Sequence, residues 1–176
     1  MDITQEAMQS FQSMHSTLQR ARESESDTLP TAINEIYFNA PRRDFKGQNF
    51  VLYENLTDSH AMIIFGTKEG MIRLCQAHKI IADGTFNSSA KLFEQLYTLH
   101  TKVMSKTFPA VYVLLSNKMS ASYSKMFLAI QSIANTMQLQ FAPEEFQIDF
   151  ESAVIMCVLE AAIFISQKQS GKKYKI

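Results

Sequence analysis

The stretch that decides the fold runs from residue 78 to residue 89 and reads HKIIADGTFNSS. Three apolar residues, at positions 80–82, lead directly into Asp83, and Gly84 follows. This run predicts a buried strand that ends in a carboxylate. A buried carboxylate is strongly unfavourable unless it is paired, hydrogen-bonded or bound to a metal. Asp83 is therefore the first candidate functional residue.

A second aspartate has the same local setting. Asp149 ends the short run EFQID, so it also follows a predicted strand, and a phenylalanine follows it directly. If the two strands are parallel neighbours, both carboxylates reach the same edge of a sheet and repel unless a divalent cation or a shared proton compensates. Magnesium is bound through one or two carboxylates and suits phosphoryl-transfer chemistry. The alternative, which spacing alone favours, is that Asp83 caps the turn at Gly84 and Asp149 caps the helix after it.

Composition excludes several classes of protein. The chain has 176 residues, 46% of them apolar, which is enough for one globular domain with or without an arm. Acidic and basic residues number 17 each, so no overall basic field marks a self-sufficient DNA-binding protein. Two unrelated cysteines, Cys75 and Cys157, favour a reducing compartment, nuclear or cytoplasmic and not secreted. We expect no membrane segment and no structural zinc site, since neither pattern is present.

The first half of the chain contains an arm and the start of a body. Residues 1–22 place apolar side chains on one helical stripe and predict an amphipathic arm, followed by a polar linker at residues 23–35. Residues 36–79 predict a β-hairpin and a helix leading into the core. In this region NFVLYEN and AMIIFGT are the strands, and Thr67 caps a helix that includes Met71 and Leu74.

Residues 80–176 predict the core. KIIADGTF and LFEQLYTLHTKV indicate strands, and AVYVLL at residues 110–115 indicates a central strand covered on both faces. A helix is predicted over Ser122 to Gln138, then the strand that ends at Asp149, then a helix from Glu151 towards Gln167. The order strand, strand, strand, helix, strand, helix predicts an α/β fold with antiparallel and parallel parts.

Four short stretches, DGTF, QLYTLH, YVLLSNK and DFE, occur in the order found in one family. Across residues 36–167 the chain resembles the catalytic domain of Mutator-like (MULE) transposases. The resemblance implies a ribonuclease-H-like mixed sheet of three antiparallel strands, a helix, a parallel strand and a helix, incomplete at the C-terminus. DGT also occurs in haloacid-dehalogenase phosphatases, but those need a nucleophilic aspartate where this chain has Ile81.

The resemblance also implies roles for two residues. Asp83 and Asp149 match the first two carboxylates of an Asp-Asp-Glu triad that binds Mg²⁺ or Mn²⁺ and cleaves and joins DNA. In such sites the metal ions activate the attacking oxygen and stabilise the leaving oxygen. The implied partner is DNA, with no small-molecule substrate and no membrane.

The sequence departs from the family in its last part. The family glutamate lies well beyond the second aspartate, whereas this chain ends 27 residues after Asp149. Glu151 and Glu160 are nearby, but neither has the family position. The family's N-terminal zinc module and its late cysteine and histidine are also missing. These departures indicate a fragment of a transposase that is inactive alone, whose exposed edge strand would favour a homo-oligomer.

Two other functions stay open on the sequence. One is a domesticated, non-catalytic module that binds DNA or a protein through the remaining sheet, with basic groups available at residues 42, 43 and 46 and residues 172, 173 and 175. The other is an unrelated α/β enzyme that uses the two aspartates. The second lacks a Gly-rich phosphate loop and a Ser/His/Asp pattern.

Because the third carboxylate is missing, we expect the purified protein neither to nick nor to join DNA with Mg²⁺ or Mn²⁺. A supercoiled-plasmid relaxation assay measures this directly. Metal-dependent cleavage that Asp83→Ala abolishes would contradict the expectation.

Overall fold

The computed structural model describes residues 30–39, 43–85 and 89–148. The chain divides into two compact units, Met1–Thr31 and Ala32–Ile176. The arm predicted for residues 1–22, the residue Asp149 and the last predicted helix lie outside the described residues. Among the described helices, none is long and apolar enough to cross a membrane.

The described residues contain a mixed α/β arrangement with two sheets. The strands are β1 Asp44–Phe45, β2 Gln48–Asn49, β3 Val51–Asn55, β4 Met62–Gly66, β5 Lys79–Thr85, β6 Gln95–Val103, β7 Lys106–Leu115 and β8 Glu145–Ile148. Strands β1 and β2 form a small hairpin, and the others form a six-stranded sheet in the order β3-β4-β7-β6-β5-β8. Neighbours in the large sheet are antiparallel except β5 and β8, which are parallel.

Helix α1, Lys68–Gln76, follows β4 and begins as predicted. The Thr67 hydroxyl accepts a hydrogen bond from the backbone N–H of Gly70 at 3.0 Å, which caps the helix. Met71 and Leu74 are fully buried on its inner face. At Gly70 an added Cβ would lie 2.4 Å from the carbonyl oxygen of Ala110 in β7. The absence of a side chain there lets the helix lie directly on the sheet.

Helix α2, Ser120–Thr136, begins two residues earlier than the predicted Ser122. The apolar repeat marks only residues that face the core, whereas the start is set by a local polar contact. Asn117 Oδ1 accepts the backbone N–H of Met119 at 3.0 Å. The buried residues of the helix are those the repeat identified, including Tyr123, Met126 and Ile130.

Strand β7 is longer than the sequence predicts. The expected start at residue 110 follows a proline, which usually marks a strand boundary. The strand nevertheless begins at Lys106, because the register with β6 shifts between Leu99 and His100 and leaves Ala110 as an extra residue. Such a β-bulge tolerates Pro109. The β6–β7 hairpin therefore continues past the point where β7 leaves β4.

The main core lies between the two helices and one face of the large sheet. Its sheet side includes Ile80, Ala82, Leu99, Val111 and Val113, all 4% exposed or less. Strand β8 joins this core through Phe146, whose ring meets that of Phe127 in α2 edge to face at 5.8 Å.

The opposite face of the sheet carries a smaller cluster at one end. Ile63 lies between Met62 and Ile64 in β4, so it points away from the main core. It packs with Val51 and Phe93 and with partly buried residues that precede β1. On β5, β6 and β8 this opposite face carries mainly polar residues, with Ile81 and Leu96 among them, and we call it the open face.

Gly84 leaves space for a side chain that comes from the neighbouring strand. An added Cβ would lie 1.9 Å from Nε2 of Gln95, a residue that is fully buried in β6. The Gln95 side chain is held in place because Tyr123 donates its hydroxyl hydrogen to Gln95 Oε1 at 2.7 Å. The glycine therefore gives space to a buried polar contact between the sheet and α2.

We expect Gly84→Ala to lower the free energy of unfolding by about 1–3 kcal/mol, because the methyl group displaces the Gln95 amide and strains or breaks its hydrogen bond. Thermal or urea unfolding measures the change. In a Gln95→Ala/Tyr123→Phe background the same substitution meets no amide and should be much less costly. Equal losses in both backgrounds would show that Gly84 is needed for another reason.

Candidate metal centre

Asp83 is exposed, contrary to the prediction of a buried strand that ends in a carboxylate. Burial alternates along β5, with Ile80 and Ala82 buried and Asp83 exposed. The apolar run misled the prediction because Ile81, on the same face as Asp83, is only partly buried. The carboxylate therefore stays in contact with water, and no desolvation penalty has to be offset.

Asp83 and Gly84 do not form a turn. Both lie inside β5, where they pair with Thr98 and Tyr97 of β6. The φ angle of Gly84 also lies outside the left-handed region. The capping alternative is therefore wrong for Asp83.

The second predicted strand is the parallel neighbour of the first. Lys79 pairs with Glu145 and Ala82 with Ile148, so β8 runs beside β5 in the same direction. Parallel pairing is the arrangement in which the sequence predicts that Asp83 and Asp149 reach the same edge of the sheet. Asp149 is the next residue of the chain after Ile148, and it lies outside the described residues.

A shallow hollow of about 230 Å³ lies around Asp83. Its lining residues come from four strands: Ile81, Ala82, Asp83, His100, Thr107, Gln147 and Ile148. The hollow is smaller than the clefts of about 300–1,000 Å³ that usually bury small-molecule ligands. Its polar groups face one side of an open sheet, which suits a ligand that lies across the surface.

His100 is the main residue of the hollow that sequence reasoning missed. Burial holds the pKa of His100 below its ordinary value, and the negative charge of Asp83 opposes part of that shift. The alternation in β6 places His100 on the same face as Thr98, the partner of Asp83. That alternation is visible in the sequence, but the strand register that brings His100 close to Asp83 is not.

The residues of the hollow fit part of a magnesium site. Asp83 supplies a carboxylate, and Gln147, which pairs with Ile81 on the neighbouring strand, supplies an amide oxygen to the same hollow. Hard oxygen ligands are those that Mg²⁺ prefers. Within residues 30–39, 43–85 and 89–148, no three His, Cys, Asp or Glu side chains group closely enough to hold a metal ion.

A second polar cluster joins the β3–β4 loop to α2. His60 Nδ1 lies 2.9 Å from the Ser122 hydroxyl, which donates its hydrogen to Asn117 Oδ1 at 2.6 Å. Ser122 is only 1% exposed and its proton is engaged, so it is not a nucleophile of the Ser/His type. Nearby, the hydrogen bond from Lys125 is the main cause that lowers the pKa of Asp58 to about 2. The cluster stabilises the loop.

Other candidate groups are engaged in packing or pairing. Burial raises the pKa of the Cys75 thiol to about 11, which makes a thiolate nucleophile unavailable near neutral pH. In the N-terminal basic group, Arg43 pairs with Glu54, and the Lys46 ammonium lies 5.4 Å from the centroid of the Phe45 ring. Residue 42 and residues 172–175 lie outside the described residues.

No family model, no curated protein and no solved structure matches the chain. A functional assignment therefore rests on the geometry of the open face.

We expect Asp83→Asn to lower the pKa of His100 further in metal-free protein, because it removes the negative charge that raises this pKa. An NMR titration of the imidazole Hε1 signal in the presence of EDTA measures the change. Glu145→Gln removes a carboxylate from the same face and should leave the pKa of His100 nearly unchanged. An unaltered titration in Asp83→Asn would contradict the electrostatic contact.

Proposed function

We propose that this chain contains a partial Mutator-like transposase domain of the ribonuclease-H type, with Asp83 and Asp149 as the remaining carboxylates of a metal site that acts on DNA phosphodiesters. The observation that supports this proposal most directly is the parallel register of β5 with β8, which pairs Ala82 with Ile148. Each of these two residues directly precedes one of the proposed ligands in the sequence.

The order of the strands supports the proposed fold. Strands β5, β6 and β7 are consecutive antiparallel neighbours, α2 follows, and β8 returns beside β5 in parallel. This is the arrangement that the resemblance implies: three antiparallel strands, a helix and a parallel strand. Strands β3 and β4 extend the same sheet on its other side.

Asp83 would hold the metal ion through its carboxylate, with Asp149 as the second ligand. A bound divalent cation would supply activation of an attacking oxygen and stabilisation of the leaving oxygen. The chain's own part is to place an exposed carboxylate on a rigid strand. The Gln147 amide lies in the same hollow on the neighbouring strand and can orient metal-bound water or a phosphate oxygen.

A non-catalytic DNA-binding module derived from a transposase is the second candidate. It is favoured by the polar side chains of the hollow, since hydroxyl and amide groups such as those of Thr107 and Gln147 bind DNA phosphates without a metal ion. The two candidates share the open face as the surface that meets DNA and differ in whether a metal binds there productively.

Mg²⁺ or Mn²⁺ should stabilise the wild-type protein but not Asp83→Asn. At ten times the dissociation constant, binding adds about 1.4 kcal/mol. For a domain of this size, that corresponds to a rise in melting temperature of about 3–6 °C. With two carboxylates instead of three, binding would need millimolar metal, so a thermal-shift titration should extend into that range at constant ionic strength.

Glu69→Gln is the matched control, because it removes an exposed carboxylate from α1, on the other side of the sheet from the hollow. This variant should keep the full response to the metal. Identical metal responses of wild type and Asp83→Asn would overturn the role of Asp83 in the proposed site.

A further inference from the structure

The tip of the β6–β7 hairpin projects as an exposed finger. We use this name for residues 102–109, all of which are exposed. Three of them are large apolar residues, Val103, Met104 and Phe108, and Met104 is 94% exposed. Exposed apolar groups gathered at one projecting tip usually mark an interaction site.

Two lysines lie on opposite faces of the finger. Lys102 pairs with Thr107, which lines the hollow, so Lys102 lies on the open face. Lys106 pairs with Val103, the residue after Lys102, and therefore lies on the other face. The finger thus has a cation on each side and a methionine at its apex.

The charges of the finger have no ion-pair partner in the part of the chain that the structure describes. In the described residues, the ion pairs involve Arg43, His78 and the lysines at 79, 118 and 125, but neither Lys102 nor Lys106. Residues 102–109 contain no Asp or Glu. The finger is therefore a local positive region in a chain whose net charge is zero.

Met104 has an unusual backbone conformation. Its φ angle is +55°, in a region that glycine favours and a methionine seldom adopts. A hairpin selected only for stability would place Gly, Asn or Asp at this position. What distinguishes Met104 from the other residues with positive φ is a long apolar side chain that is 94% exposed, and this combination points to a contact made by that side chain.

We propose that the finger enters the major groove of duplex DNA, with Lys102 and Lys106 against the phosphates of the two walls and Met104 against base edges. The major groove is about 12 Å wide and admits a two-stranded β-ribbon. This assignment rests on the proposed function, because DNA is the substrate which that function implies. The placement of Thr107 in both the finger and the hollow makes the groove-binding surface continuous with the candidate metal centre.

The arrangement of charge favours a groove over a flat anionic surface. A membrane surface or an acidic protein patch would meet lysines that point the same way, whereas these two point to opposite sides of the ribbon. Vesicles that contain phosphatidylserine and an acidic peptide serve as competing ligands in the test.

The first experiment measures binding of a labelled duplex oligonucleotide by fluorescence anisotropy, in EDTA, over a range of salt concentrations. Removal of both cations in Lys102→Gln/Lys106→Gln should make the slope of log K against log[salt] shallower by about 1.8, since each phosphate contact contributes about 0.9. The control Lys68→Gln/Lys91→Gln removes two other exposed lysines and should leave the slope unchanged.

The second experiment separates binding from folding. Met104→Gly relieves the positive φ angle, so the melting temperature should hold or rise, while DNA affinity should fall by about fivefold with an unchanged salt slope. Met104→Leu should keep the affinity. Lys46→Gly, at a positive φ angle of 54° in the β1–β2 hairpin, should leave the affinity nearly unchanged.

Several outcomes would overturn the proposal. These are no duplex binding by wild type, equal salt slopes for the two double variants, or a stronger effect of the finger variants on vesicle or peptide binding than on duplex binding. Because this assay contains EDTA, its result does not depend on metal binding at Asp83. If the finger variants bind duplex DNA like wild type, the proposal for the finger is wrong, but the metal site can still exist. If Mg²⁺ and Mn²⁺ do not stabilise the protein, the metal site is wrong, but the DNA-binding result still holds.

Discussion

The parallel pairing of β5 with β8 is the constraint on which the candidate site depends. Parallel neighbours need a crossover, which α2 supplies by packing on the face of the sheet that bears Ile80 and Phe146. The ring contact between Phe127 and Phe146 joins this helix to the returning strand. A slip of one residue would turn Phe146 to the open face, so burial of its ring sets the register.

The same packing explains why Asp83 is exposed. Both helices lie on one face of the sheet, and the small cluster around Ile63 and Phe93 lies at the β3–β4 end of the other. On β5, every second side chain therefore faces a polar surface, which suits Asp83 and its neighbour His100. A carboxylate in such a setting is available to a cation or a water molecule without a large desolvation penalty.

Two local irregularities connect the core to this surface. Gly84 makes room for the buried amide of Gln95, which Tyr123 of α2 holds by a hydrogen bond, so the strand that carries Asp83 is fitted closely to the helix behind it. The bulge at Ala110 accommodates Pro109 and lets β7 continue to Lys106 with β6 as its partner. The resulting hairpin extends from the hollow to an exposed tip. The rigid core thereby supports groups that lie well outside it.

Within the described residues, the sequence by itself indicated both long helices, the strands of the large sheet and many of the residues that build the core. The apolar repeat of α2, the cap at Thr67 and the β-rich runs are local patterns, and local backbone and burial preferences are sufficient to specify them. The sequence also marked Asp83, yet it suggested a buried strand end or a turn. Only the tertiary structure decided that Asp83 lies on an exposed strand face beside His100. It also decided that Gly84 leaves space for the Gln95 side chain and that β7 continues through Pro109. Each of these depends on register and on which face the helices cover, and both are set by contacts between residues far apart in the chain.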